Sequence, residues 1–84
     1  MKTVICDIDG TIFEYVKGGH YDLVYRDAKI LPGVRDKFQE WEAKGCRIVL
    51  ITGRRESVRE VTERALRRAG IPFDMLIMGF ADTG

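Results

Sequence analysis

The sequence predicts an α/β layer fold around a short parallel sheet, and three observations lead there. Apolar runs at residues 3–6, 48–51 and 75–78 are nearly continuous rather than alternating, the pattern of strands covered on both faces. Two stretches with helical periodicity precede the second and third runs. Glycine and proline stand where those helices would start and stop. Strand–helix–strand units with such short connections imply right-handed crossovers.

The first run, Thr3-Val4-Ile5-Cys6, ends directly on Asp7. In the first helical stretch Val34, Phe38 and Trp41 fall at i, i+4 and i+7 and form one apolar stripe, with Trp41 as core. Pro32-Gly33 opens it and Gly45 closes it. The second stretch buries Val58, Val61, Ala65, Leu66 and Ala69. Ser57 and Glu60 have the spacing of a capping box, and Gly70 followed by Pro72 ends the helix. Between the first strand and the first helix, residues 12–16 and 21–25 are strand-like around Gly18-Gly19, which predicts a small hairpin flap.

Eighty-four residues make a single domain, 1–84, and a chain of this size buries only roughly 60–65% of its surface. The 45% hydrophobic content is that of a globular protein. Fourteen basic and thirteen acidic residues nearly cancel, so charge gives no reason to expect a nucleic acid or a membrane as partner. The apolar start is too short for a signal peptide or a span. Cys6 and Cys46 fit neither a metal pair nor a disulfide framework, and read as small buried thiols in a reducing cytoplasm.

The chemistry concentrates at two strand ends. Asp7-Ile8-Asp9-Gly10-Thr11 places two acids at i and i+2 beyond the first strand, where unpartnered carboxylates would be costly as structure alone. The plain alternative is an Asp-Gly turn. Thr52-Gly53-Arg54 follows the second strand, again at a carboxyl end, the edge at which open α/β sheets bind ligands. With the helix cap assigned to Ser57, Thr52 is left for another role.

The Asp7–Thr11 segment resembles the first motif, DxDGT, of the haloacid dehalogenase (HAD) superfamily. Residues 48–51 with Thr52-Gly53-Arg54 are similar to its second motif, an apolar strand ending in Ser or Thr. The resemblance implies a HAD-like Rossmannoid sheet with flanking helices and a flap after the first strand. It implies a phosphohydrolase in which Asp7 is the nucleophile, forming an aspartyl-phosphate, and Asp9 the general acid/base. Mg²⁺ would be held by the Asp7 carboxylate and the Asp9 main-chain carbonyl. Phosphate would be bound by the first loop at Gly10 and Thr11 and by Thr52, Gly53 and Arg54.

The sequence departs from the family in two places. No lysine follows Lys44, where the third motif needs one, and no acid follows a fourth apolar strand. Asp82 reads as a tail acid. The sheet is thus expected to be incomplete, one flank of the first strand lying open. Either the chain is a fragment or another chain, a second copy among the candidates, completes the sheet.

Arg54, Arg55, Arg59, Arg64, Arg67 and Arg68 make the second helix basic, but Glu60–Arg64 and Glu63–Arg67 are i, i+4 pairs of a solvated face. His20 reads as a loop residue. Three functions compete. One is a Mg²⁺-dependent phosphomonoesterase acting on a small phosphorylated metabolite through a site with no cap domain. Another is a polynucleotide 3′-phosphatase, a group with a similar Asp-Gly-Thr loop, hairpin and Ser/Thr-Gly-Arg motif. The third is a degenerate, non-catalytic binding or assembly module.

Overall fold

The computed structural model describes residues 1–15 and 26–80. Its order is β1 (Thr3–Asp7), α1 (Val34–Ala43), β2 (Arg47–Ile51), a 3₁₀ turn (Glu56–Val58), α2 (Arg59–Arg68) and β3 (Met75–Ile77). The strands form one parallel sheet in the order β1-β2-β3, so each predicted apolar run becomes a strand. Together with the helices this is an α/β Rossmannoid fold.

Register explains the burial. Cys6 pairs with Leu50 and Leu50 with Leu76, a row on one face of the sheet. Leu50 and Leu76 join Ile48, Phe38 of α1 and Ala65 and Leu66 of α2 in a single core. On the other face, the row Ile5, Val49 and Met75 leaves Ile5 66% and Met75 43% exposed. The expectation of a sheet covered on both faces is therefore corrected: among the described residues one face is bare. The cause is topological. Right-handed crossovers that step twice in the same direction deliver both helices to the same side. Among the described residues β1 is an edge strand, as expected for the open flank.

Both helices end as their glycines foretell. The Gly45 N–H donates to the Glu42 carbonyl and the Cys46 N–H to Trp41, both at 3.0 Å. Gly70 and Ile71 repeat the pattern on Arg67 and Leu66. Gly70 has φ 73°, and a Cβ there would lie 2.9 Å from Arg35 Cδ. In α1, Phe38 is buried while Val34 and Trp41 pack partly exposed beside it, Phe38 and Trp41 meeting edge to face at 5.0 Å.

One local expectation changes. Among the described residues no side chain caps either the 3₁₀ turn or α2, and Ser57 is an exposed residue inside the turn, so the capping box does not form. Arg59 organises that end instead: it bonds Glu56 and Glu63 and donates to the Leu76 carbonyl at 2.9 Å, tying α2 to β3. At the start of the predicted flap Phe13 bridges Ile30 antiparallel; the flap's turn and second arm lie outside the described residues. The Glu14 N–H donates to Lys29 and the Leu31 N–H to Ile12, at 2.9 and 2.8 Å. The two ends of the excursion are thereby tied together. Val16, His20, residues 21–25 and Asp82 lie outside the described residues.

Candidate active site

The carboxyl ends of the strands gather the two motifs. Asp7 is the last residue of β1 and pairs in register with Ile51, the last of β2, which pairs with Ile77 at the end of β3. The next residues, Ile8, Thr52 and Met78, are buried and anchor the three loops that leave the sheet. The first loop is a tight turn about the Ile8 carbonyl, which accepts the N–H groups of Thr11, Ile12 and Phe13 at 3.2, 2.8 and 3.2 Å. The turn needs a left-handed residue, and Gly10 supplies it with φ 82°. Ile12 and Phe13, both buried, pin the far side of the turn to the core.

Asp7 is exposed, and its Oδ1 accepts the Ile8 N–H at 2.8 Å. That bond orients one oxygen and leaves Oδ2 without a hydrogen bond among the described residues. The Cys6 thiol beside it is pushed up in pKa, by burial first and by the Asp7 charge second, and so stays protonated at neutral pH.

Asp9 sits differently. Its carboxylate is 26% exposed and takes two bonds from Arg54, Nε to Oδ2 at 3.0 Å and Nη2 to Oδ1 at 2.6 Å. The Arg54 side chain is only 1% exposed, and its Nη1 donates to the Thr62 hydroxyl at 3.0 Å. The guanidinium expected beside phosphate thus lies against Asp9 and α2. Thr62, fully buried on α2, was not singled out from the sequence. A signal existed: it continues the stripe Val58, Ala65, Leu66, where a polar residue must find a buried partner.

Thr52 is 2% exposed, and its Oγ1 accepts the Arg54 N–H at 3.1 Å, a local turn and not a helix cap. The loop after β3 is stitched to this one: Phe80 N–H reaches the Thr52 carbonyl at 2.9 Å and Gly79 N–H the Arg54 carbonyl at 2.7 Å. Gly53 is exposed between them. The N–H groups of Gly10 and Thr11 turn inward, to the Phe13 carbonyl at 2.8 Å and the Ile8 carbonyl at 3.2 Å, and Thr11 is exposed at the surface of the loop. Among the described residues, no group of three or more His, Cys, Asp or Glu gathers as a metal site.

The family pattern of the polynucleotide kinase PNKP phosphatase domain, HAD_PNKP, matches residues 1–82. The chain belongs to this family. It is therefore a HAD-type phosphatase domain by descent, as the DxDGT resemblance implied. A chain of a Pnkp1/Rnl/Hen1 complex is 30% identical with a TM-score of 0.77, over 92% of this chain and 27% of that one. A chain of the Pnkp1/Rnl/Hen1 RNA repair complex is 28% identical with a TM-score of 0.83, over 99% of this chain and 27% of that one. D,D-heptose 1.7-bisphosphate phosphatase from B. bronchiseptica, complexed with magnesium and phosphate, shares the fold at 20% identity and a TM-score of 0.69, over 100% of this chain and 54% of that one. This HAD_PNKP domain thus spans about a quarter of the repair-complex chains it resembles. No curated protein matches it in sequence.

Proposed function

We propose that the domain hydrolyses phosphomonoesters through an aspartyl-phosphate on Asp7, with the terminal phosphate of a polynucleotide as substrate. The observation that carries the chemistry is the pair of carboxylates at the end of β1: Asp7 exposed with one oxygen oriented by Ile8, Asp9 clamped in one orientation by Arg54. In the first step an Asp7 oxygen bonds to phosphorus, the bond to the leaving oxygen breaks, and Asp9, having taken up a proton from solvent on the side turned away from Arg54, passes it to that oxygen. In the second, water attacks the same phosphorus, Asp9 takes back a proton, and Asp7 is released with inorganic phosphate.

Mg²⁺ fits the donors in kind. The Asp7 carboxylate is exposed, and the Asp9 main-chain carbonyl accepts no hydrogen bond among the described residues. Both are hard oxygen ligands, and water would fill the rest of the shell. A bound Mg²⁺ would offset phosphoryl charge. Thr11, Thr52 and Gly53 line the same edge as the phosphate-side groups, within a cytoplasmic enzyme.

Family membership moves the substrate reading from a small metabolite toward a polynucleotide end, and one local feature supports it. Arg55 is exposed beside the site with no ion pair among the described residues, unlike the paired arginines of α2. A basic group there suits a neighbouring phosphate of a strand. The test compares a 3′-phosphorylated oligonucleotide with a sugar phosphate, both with Mg²⁺, over a salt series. Preference for the oligonucleotide, falling steeply with salt, supports the reading; salt-independent preference for the sugar phosphate returns the domain to small metabolites. The bare sheet face and the open β1 edge would be covered by a further α/β segment or by a second copy of this chain.

A further inference from the structure

We propose that Arg54, held on α2 by Thr62, is a positioning residue that sets the Asp9 carboxyl for proton transfer. This rests on the phosphohydrolase reading and deepens it.

The geometry separates positioning from phosphate binding. Three guanidinium nitrogens of Arg54 are committed, Nε and Nη2 to the two Asp9 oxygens and Nη1 to Thr62 Oγ1, at 3.0, 2.6 and 3.0 Å. At 1% side-chain exposure, no face of the group is open to an incoming dianion. A planar fork meeting both oxygens of a carboxylate fixes its plane and its rotamer, which an ammonium cannot do. Each carboxylate oxygen keeps a second lone pair, and Asp9 remains 26% exposed, so a proton can still be passed on its open side.

Thr62 gives the clamp its origin. Arg54 reaches from the loop after β2, and a long side chain there would sample several rotamers without an anchor. The Thr62 hydroxyl, fully buried one turn beyond the 3₁₀ segment, accepts Nη1 and locks the guanidinium against α2. The helix thereby orients an acid on a different loop, 45 residues away from Arg54 in sequence. A general acid depends on its aim, and small misplacements cost rate out of proportion to distance.

The test uses the full natural chain with Mg²⁺ and two substrates: p-nitrophenyl phosphate, whose leaving group needs little protonation, and an oligonucleotide 3′-phosphate, whose alkoxide needs it. Thr62→Val should lower kcat about tenfold on the oligonucleotide and far less on the aryl ester, with KM little changed on either. Thr62→Ser should restore the oligonucleotide rate, and Arg54→Lys, which keeps charge but loses the fork, should show the same selectivity in larger measure. A raised KM with kcat preserved in Arg54→Lys would make Arg54 a phosphate ligand and overturn the proposal. Equal kcat losses on both substrates in both variants would reduce the clamp to a structural part and also overturn it. Wild-type turnover that is absent, or that survives Asp7→Asn, would remove the hydrolase reading itself, and the proposal with it.

Discussion

Arg54 and Asp9 are 45 residues apart in sequence and joined by two bonds, Nε to Oδ2 at 3.0 Å and Nη2 to Oδ1 at 2.6 Å. Their union fastens the loop after β1 to the loop after β2. Because the arginine side chain is 1% exposed, removing the charge of its partner leaves a buried cation less compensated. Asp9→Asn should therefore lower unfolding free energy by about 2–3 kcal/mol, read from urea denaturation at neutral pH. A change within about 0.5 kcal/mol would mean that solvent reaches Arg54 in solution.

Gly70 offers a test of the fold without touching the site. Its φ of 73° and the 2.9 Å approach of a Cβ to Arg35 Cδ both oppose a side chain. Gly70→Ala should cost about 1–2 kcal/mol by thermal or urea unfolding. A neutral or stabilising result would show that the helix ends differently from the bonds of Gly70 and Ile71 described above.

The bare sheet face should behave as a surface in the 84-residue chain. Ile5 and Met75 are 66% and 43% exposed and adjacent through Val49. Ile5→Lys with Met75→Lys should reduce dye binding to apolar surface and self-association in sedimentation, with stability altered by no more than about 1 kcal/mol. Gross unfolding of the double variant would place these side chains in a core.

Electrostatics on α1 give a pH-dependent check. Hydrogen bonds from Lys44 and then Lys37 hold the Glu40 carboxyl below the usual carboxylate range. A depressed folded-state pKa contributes stability above the unfolded-state value, and the contribution is lost as pH falls through the folded-state value. The carboxyl carbon of Glu40 should titrate below an ordinary glutamate, and Lys44→Ala or high salt should move it back up. A titration unmoved by either would mean that the exposed pair does not persist in solution.

Much of this was legible in the sequence. The apolar runs became strands because residues such as Ile48, Leu50 and Leu76 have a core to fill, and the glycines at 45 and 70 ended helices through their freedom at positive φ. Asp7 at a strand end followed from Thr3-Val4-Ile5-Cys6 alone. What failed was non-local. The one-sided sheet depends on strand order, which periodicity does not encode. Ser57 lost its cap to a 3₁₀ turn organised by Arg59, whose partner Leu76 is 17 residues on. The alliance of Arg54, Asp9 and Thr62 joins three segments, and only the polar Thr62 within an apolar stripe hinted at it.

Nucleophilic attack by Asp7 stands or falls on one substitution, Asp7→Asn. The side chain keeps its shape and can still accept the Ile8 N–H, now at 2.8 Å to Oδ1, while losing the charge that attacks phosphorus. The measurement is turnover of p-nitrophenyl phosphate with Mg²⁺ by the full natural chain and its variant, with far-UV circular dichroism confirming the fold. The expected result is a loss of at least about a thousandfold and no phosphoprotein trapped on acid quench. Turnover close to wild type in the folded variant would rule out Asp7 as the nucleophile.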